Sequence, residues 1–249
     1  MEPDAETFSV MMRQRGLARD MSFVALSGDR VVAVWLVSVD GDQSYLMASG
    51  TDPAFRGQGI ARRLAECAMD RLRENHVRRF QTEVMDGNAP ASALYRSLGM
   101  EVERNLDCFD LPRLRGTGPG HSGAANVPWA EIKGEVAACR DWSPTWQNND
   151  AAVSRITDQL FCLALRDAKG LAAYAVFFRH TVSIAQIAVR RDRRRAGLGR
   201  GLIEQVSSAA EGRAVRLVNA DARDPGFAAF MTAIGAEPMT GQRELVCWL

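Results

Sequence analysis

Thr51-Asp52-Pro53-Ala54-Phe55-Arg56-Gly57-Gln58-Gly59-Ile60-Ala61-Arg62-Arg63-Leu64 leaves a run of apolar residues, passes an arginine and two glycines, and enters a stretch with helical spacing. A helix that opens in this way presents unpaired backbone N–H groups and the positive end of its dipole at one point, where a phosphate can sit. Glycines let the backbone approach an anion closely, and Arg56 adds charge-assisted hydrogen bonds. Taken alone, R-x-x-G-x-[GA] fits many glycine loops.

The stretch has a partner. Val189-Arg190-Arg191-Asp192-Arg193-Arg194-Arg195-Ala196-Gly197-Leu198-Gly199-Arg200-Gly201-Leu202 places Arg194, Gly197 and Gly199 at a constant offset from Arg56, Gly59 and Ala61. At the same offset Val77-Arg78-Arg79-Phe80 echoes Val215-Arg216-Leu217-Val218, and Leu98-Gly99-Met100-Glu101 echoes Ile234-Gly235-Ala236-Glu237 within two residues of it. Three landmarks in one order indicate an internal repeat. Between the copies lies Pro112 to Pro128, dense in glycine and proline and poor in apolar residues, which suits a linker. The expected organisation is a first module over 1–111, a linker over 112–128 and a second module over 129–249.

Around the loops the pattern predicts a mixed α/β module with a mostly antiparallel sheet flanked by helices. In the first copy Ser22–Leu26, Val31–Val39 and Ser44–Ser49 are apolar and β-branched between glycine turns, and read as an antiparallel meander. Ile60, Leu64, Cys67, Ala68 and Leu72 then recur at helical spacing. Strand Arg79–Met85, helix Ala91–Leu98 and a pair of strands within Met100–Leu111 follow. The second copy repeats the order with strands Leu160–Arg166, Leu171–Phe178 and Thr181–Val189, a helix carrying Leu198, Leu202, Ile203, Val206 and Ala209, strand Val215–Ala220, helix Phe227–Ile234 and a closing run Glu244–Leu249. Two helical stretches, Trp129–Arg140 and Asp150–Gln159, precede it. The first copy matches them only with Thr7–Leu17, so its opening strand and first helix read as missing or short.

Composition sets the background. Hydrophobic residues make up 47% and charged residues 24%, with a formal net charge of +1. That is material for packed cores without a long-range field to gather nucleic acid or an anionic membrane. No apolar run reaches the length of a membrane span, and the acidic start MEPDAETFSV is unlike a signal peptide, so a cytoplasmic protein is expected. The five cysteines lack C-x-x-C spacing and the three histidines lack ligand spacing, which predicts reduced core thiols and no metal.

Other glycine loops do not fit. Neither copy has the Gly-Lys-Ser/Thr of a P-loop or the third glycine of a dinucleotide fingerprint, and the preceding strand closes an antiparallel meander rather than opening a parallel crossover. The chain resembles the GNAT superfamily of N-acetyltransferases, whose hallmark [RQ]-x-x-G-x-[GA] opens a helix after the fourth strand. The first copy also carries Asn88-Ala89-Pro90-Ala91 and Leu94-Tyr95-Arg96-Ser97-Leu98-Gly99-Met100, similar to that superfamily's later N-x-x-A-x-x-L-Y-x-x-x-G-[FM] segment. The resemblance covers 21–111 and 160–249.

The resemblance implies an acetyl-CoA-dependent transferase acting on a primary amine by direct attack in a ternary complex. The CoA pyrophosphate would lie on the amides of Gly57, Gln58, Gly59, Ile60 and Ala61 beside Arg56, with the pantetheine arm along Gly50 and Thr51. Asn88 and Tyr95 would flank the thioester, Tyr95 as the acid that protonates the leaving thiolate. In the second copy the corresponding loop is Val189, Arg194, Arg195, Ala196, Gly197, Leu198 and Gly199, but Met231 stands where Tyr95 does and Asp224 where Asn88 does. Methionine cannot donate a proton, so this copy either binds CoA without catalysis, shapes the acceptor site or keeps its loop for folding alone.

Other readings stay open beside these. Tyr95 could be a half-buried helix tyrosine, and Glu83, the one carboxylate near the site, could be a strand residue paired with Arg79 or Arg96 rather than a base. Cys67 reads as part of the apolar stripe of its helix and not as a nucleophile. Arg190–Arg195 lacks the interleaved aromatics of a nucleic-acid groove and reads as a phosphate-facing or solvated loop. The stretch Trp142–Asn149 is the one hint of an acceptor site. A non-catalytic CoA or acyl-CoA sensor is the rival function, and a monomer or homodimer is expected.

Overall fold

The computed structural model describes residues 4–114 and 123–249, so residues 115–122 of the expected linker lie outside the described residues. Two compact units form, and each is discontinuous in sequence. One, the first-copy unit, comprises Met11–Asn105 with Gln242–Leu249; the other, the second-copy unit, comprises Met1–Val10 with Leu106–Gly241.

The elements in chain order are α1 (Ala5–Arg15), β1 (Phe23–Ser27), β2 (Arg30–Asp40), β3 (Gln43–Thr51), α2 (Ile60–Glu74), β4 (Arg79–Met85), α3 (Ala89–Ser97), β5 (Glu101–Asp110), β6 (Ala125–Asn126), α4 (Asp150–Arg155), β7 (Leu160–Asp167), β8 (Gly170–Phe178), β9 (Ser183–Val189), α5 (Leu198–Ala209), β10 (Arg216–Asp221), α6 (Pro225–Ile234), β11 (Glu237–Pro238) and β12 (Gln242–Trp248).

In the first-copy unit β1, β2 and β3 form the antiparallel meander, β3 pairs parallel with β4, and β4 pairs antiparallel with β12. In the second-copy unit β6, β7, β8 and β9 are antiparallel in succession, β9 pairs parallel with β10, and β10 pairs antiparallel with the Leu106–Asp110 half of β5. The strand that ends the chain therefore belongs to the sheet of the first copy. The strand that ends the first copy gives its second half to the second. This corrects the boundaries read as 1–111 and 129–249, because strand exchange is a pairing choice that a linear repeat does not encode.

Each sheet buries one face under its long helix. Leu64, Ala65, Ala68, Met69 and Leu72 of α2 pack on Trp35, Val37, Phe80 and Leu245, with Trp35, Leu72 and Phe80 fully enclosed. In the other unit Leu202, Ile203 and Val206 of α5 pack on Ala173, Ala175, Phe177 and Leu217. Truncating a phenyl ring such as Phe80 to alanine costs about 3–5 kcal/mol in such a core.

Four further expectations are corrected. A single ten-residue strand, β5, replaces the pair within Met100–Leu111. Trp129–Arg140 forms two short 3₁₀ turns, 129–131 and 136–139; Gly134 interrupts the helical run, and Glu135 turns away to accept the Leu171 N–H and pair with Arg166. Asp150–Gln159 is α-helical only to Arg155 and closes with a 3₁₀ turn over Thr157–Gln159. Cys67 is exposed on α2, off the buried stripe, whereas the other four thiols are buried.

Candidate functional site

The meander and the loop meet at the end of β3. Asp52 turns the chain there: its carboxylate accepts the Ala54 N–H at 2.9 Å and also binds Arg30. Arg56 folds back so that its Nε donates to the Thr51 carbonyl at 3.1 Å, leaving an exposed guanidinium beside the loop. Gly57 and Gly59 take φ of 76° and 73°, conformations in which an L side chain is strained. The helix α2 then starts with no side-chain cap and no acidic residue in its first turn. Its free N–H groups face outward beside a cation, as an anion site requires.

The second loop has the same construction. Arg194 Nε donates to the Val189 carbonyl at 2.9 Å, Gly197 has φ of 77°, and α5 begins without a cap or an acid. Here Arg195 occupies the left-handed position, at φ 64°, that Gly57 takes in the first copy. The arginines differ in their partners. Asp141 binds Arg191 at 2.9 Å and Arg194 at 2.5 Å, while Asp167 binds Arg190 at 2.7 Å and also Arg193. Those hydrogen bonds hold the Asp141 carboxyl below its ordinary range against the opposing effect of burial, and bring Asp167 down to about 2. The arginine run is thus largely committed to internal ion pairs.

A splayed pair of strands leads from each loop into its unit. The β3–β4 ladder covers Gln43↔Arg79, Ser44↔Phe80 and Tyr45↔Gln81, after which β3 runs on to Thr51 and β4 to Met85. The β9–β10 ladder covers Arg216↔Ser183 and Leu217↔Ile184. Each meander carries a register shift just past that point, Leu36/Val37 against β3 and Val176/Phe177 against β9. Such a shift kinks the strand and turns it away from its neighbour. The opened ladder leaves strand amides and carbonyls along a cleft that an extended chain can pair with.

Tyr95 stands at the first cleft. It is 6% exposed, packs edge-on against Trp35 with ring centroids 6.2 Å apart, and places its hydroxyl 3.3 Å from Ser49 Oγ on β3. Burial pushes the phenol above its ordinary value and the Ser49 bond offsets part of this, so the group stays protonated at neutral pH. Asn88 caps α3, its Oδ1 accepting the Ala91 N–H at 3.2 Å, so it fixes the helix that carries Tyr95.

Sequence reasoning missed Tyr45. Its hydroxyl, buried on β3, donates to the half-buried Glu83 carboxylate of β4. Burial first, and then the Glu83 charge, hold that phenol well above its ordinary value, while Arg15 opposes them. Arg15 Nη1 also donates to the Met47 carbonyl at 3.0 Å. Of the arginines expected beside Glu83, Arg79 bonds to Gln43 and Gln81 and pairs with Glu103. The only prior signal was that tyrosine and glutamate occur on strands read as neighbours through the glycine loop.

In the second-copy unit a cavity of about 490 Å³ runs along the splay between the Arg194–Gly199 loop and the strand Ala185–Val189. Trp142, Phe227 and Phe230 form an aromatic wall, Trp142 standing edge-on to Phe227 at 5.0 Å. A Cβ on Gly199 would lie 3.0 Å from the Phe230 ring, so glycine is needed for that ring to rest on the helix start. At the far end Arg140, Asp150, Tyr174 and Gln186 bond to one another, and burial lifts the Tyr174 phenol to about 12. Ile187 lies where Ser49 does in the first copy, and Met231 is fully buried in the core. The stretch Trp142–Asn149 thus contributes Trp142, Pro144 and Asn148 to the cavity lining.

The acetyltransferase (GNAT) family model matches residues 2–100 and again 126–230. The chain belongs to the GNAT family. It is 33% identical over 90 residues to the [ribosomal protein bS18]-alanine N-acetyltransferase of Escherichia coli K12, a match covering 35% of this chain and 61% of that one. A tandem GNAT protein from the clavulanic acid biosynthesis pathway superposes with a TM-score of 0.64 at 18% identity, covering 96% of this chain and 87% of that one. A GCN5-related N-acetyltransferase from Sphaerobacter thermophilus superposes at 0.62 and 14% identity, covering 88% and 77%. These likenesses establish the tandem GNAT fold. Among the described residues no group of three metal-ligating side chains converges, and no helix is long and apolar enough to cross a membrane.

Proposed function

We infer that the chain is a cytoplasmic acetyl-CoA-dependent N-acetyltransferase whose first copy transfers the acetyl group to a primary amine by direct attack in a ternary complex. The observation that carries this reading is the convergence of three features in one unit: an anion loop with an exposed arginine, a splayed strand pair, and a buried protonated Tyr95 hydroxyl beside β3. The amine attacks the thioester carbon, charge collects on the carbonyl oxygen near the opened β3 amides, and the sulfur leaves with a proton from Tyr95. Glu83, held by Tyr45, takes the amine proton, directly or through water.

Residues 56–61 hold the diphosphate, Gly50 and Thr51 pair with the pantetheine arm, and Asn88 supports α3. The loop at Val189 and Arg194–Gly199, with its cavity, holds a second CoA without turning it over, since Met231 and Ile187 supply neither acid nor hydroxyl. The bS18-alanine transferase among the relatives makes a peptide α-amine the first acceptor to try. The test follows thiol release from acetyl-CoA with peptides bearing N-terminal alanine, free amino acids, polyamines and aminoglycosides. Acceptor-dependent release well above hydrolysis supports transfer; acetyl-CoA binding without turnover for any amine supports the sensor reading instead.

A further inference from the structure

We propose that the outer edge of β1 pairs with the same edge of another molecule of this chain, in antiparallel register centred on Ala25, and so makes a two-fold dimer. β1 ends the first-copy sheet: it pairs with β2 on one side, and among the described residues no strand lies on the other. Phe23 and Ala25 pack on the core under α2, while Val24 and Leu26 turn to the opposite face, 50% and 61% exposed. Val31, directly across from Leu26 on β2, is 51% exposed beside them. The five residues of β1 include neither the charge nor the proline that keeps an exposed edge from pairing.

The internal repeat shows what such an edge carries. β7 is the counterpart of β1: Ala25↔Ala33 matches Leu165↔Ala173, and both ladders slip at the next residue, Ala25/Leu26 and Leu165/Arg166. Val24 then corresponds to Ala164, Leu26 to Arg166 and Val31 to Leu171. In the second copy β6 pairs antiparallel with β7, Ala125 opposite Ala164, and Trp129, Ile132 and Val136 cover that face, leaving Ala164 5% and Leu171 3% exposed. Arg166, at the place of Leu26, pairs with Glu135. The bulge is therefore no obstacle to a further strand, since β7 has it and still accepts β6.

Another molecule of this chain fits the open edge. A two-fold antiparallel ladder uses the same five residues twice, so one apolar edge is its own complement. Centring on Ala25 sets Val24 opposite the partner's Leu26 and Leu26 opposite the partner's Val24, joining two exposed strips into one. The exposed Arg19 and Asp20 precede β1 and the exposed Asp29 and Arg30 follow it, so antiparallel pairing brings together ends that each carry both signs. Five residues a side fall short of the roughly 20–30 of a standard interface, so the dimer should dissociate at about micromolar concentration.

Sedimentation velocity of the full chain from about 0.1 to about 100 µM reads the mass across that range. It should rise from one chain to two. Leu26→Arg, which installs the residue the second copy has there, and Val24→Lys each place a charge on the edge at an exposed position; both should stay single chains at every concentration with an unchanged Tm. The register is read by oxidising Val24→Cys and Leu26→Cys chains, each also carrying Cys67→Ser, separately and mixed. The mixture should cross-link well above either chain alone, because position 24 faces position 26 of the partner. A single chain throughout the concentration range overturns the proposal. So does a dimer that survives both charged variants, since its contact then lies elsewhere, and so does cross-linking no greater in the mixture than in the separate chains.

Discussion

The loops Arg56–Ala61 and Arg194–Gly199 share a backbone plan and differ in what surrounds it. Both tether an arginine Nε to the carbonyl at the strand end, both use a left-handed glycine before the helix, and both open onto a splayed ladder. In the first copy the arginine has no carboxylate partner among the described residues, and a buried tyrosine hydroxyl lies along the cleft. In the second, Asp141 occupies the arginine, and an aromatic wall and Ile187 line the cleft. Holding an anion depends on backbone shape and survives side-chain change. Moving a proton depends on single side chains and is lost with one substitution.

The sharpest way to break that contrast is Tyr95→Phe. It should lower kcat about 100-fold while leaving acetyl-CoA binding nearly intact, measured by thiol release and by titration of the cofactor. Arg56→Ala should weaken acetyl-CoA about tenfold, because a charge-assisted bond is lost, and should flatten the salt dependence of its KM. Arg194→Ala should do less to CoA binding at the second copy, since Asp141 already competes for that guanidinium. Asp141→Asn should tighten CoA there several-fold by releasing Arg191 and Arg194; weaker binding would mean that Asp141 orders the loop rather than competing with the ligand.

The smaller effects concern stability. The Tyr174 phenol, ordinarily near 10, is raised to about 12 in the folded state, so its contribution is complete below pH about 10 and is lost as pH rises through about 12. Tyr174→Phe should remove that part of the alkaline loss, read from thermal melts across this window. Arg195→Gly should raise stability by about 1 kcal/mol by relieving the left-handed backbone at φ 64°, a gain of about 2–4 °C in Tm.

Much of this was legible in the sequence. The constant offset between the two glycine loops gave the tandem organisation, and helical spacing placed Leu64, Ala68 and Leu72 on the buried side of α2. Tyr95 could be singled out because a short local motif carries it. The strand exchange could not be read, because Gln242–Trp248, polar in its first three residues and apolar in the rest, carries no mark of which sheet it joins, and pairing partner is a tertiary decision. Tyr45 escaped for the same reason: it gains its role from Glu83, a neighbour in the sheet 38 residues away in sequence. Cys67 was misplaced because a helical stripe has soft edges, and a residue one position from Ala68 can turn to solvent.

The central claim is that transfer belongs to the first copy and the second only holds ligand. Matched variants that place a β-branched residue at the left-handed glycines, Gly59→Val and Gly197→Val, test it most directly when thiol release with a responsive amine is compared in chains shown to be folded by circular dichroism. Turnover should fall by about 100-fold or more in Gly59→Val and stay within a few-fold of the parent in Gly197→Val. The reverse pattern, or an equal loss in both, would contradict the account.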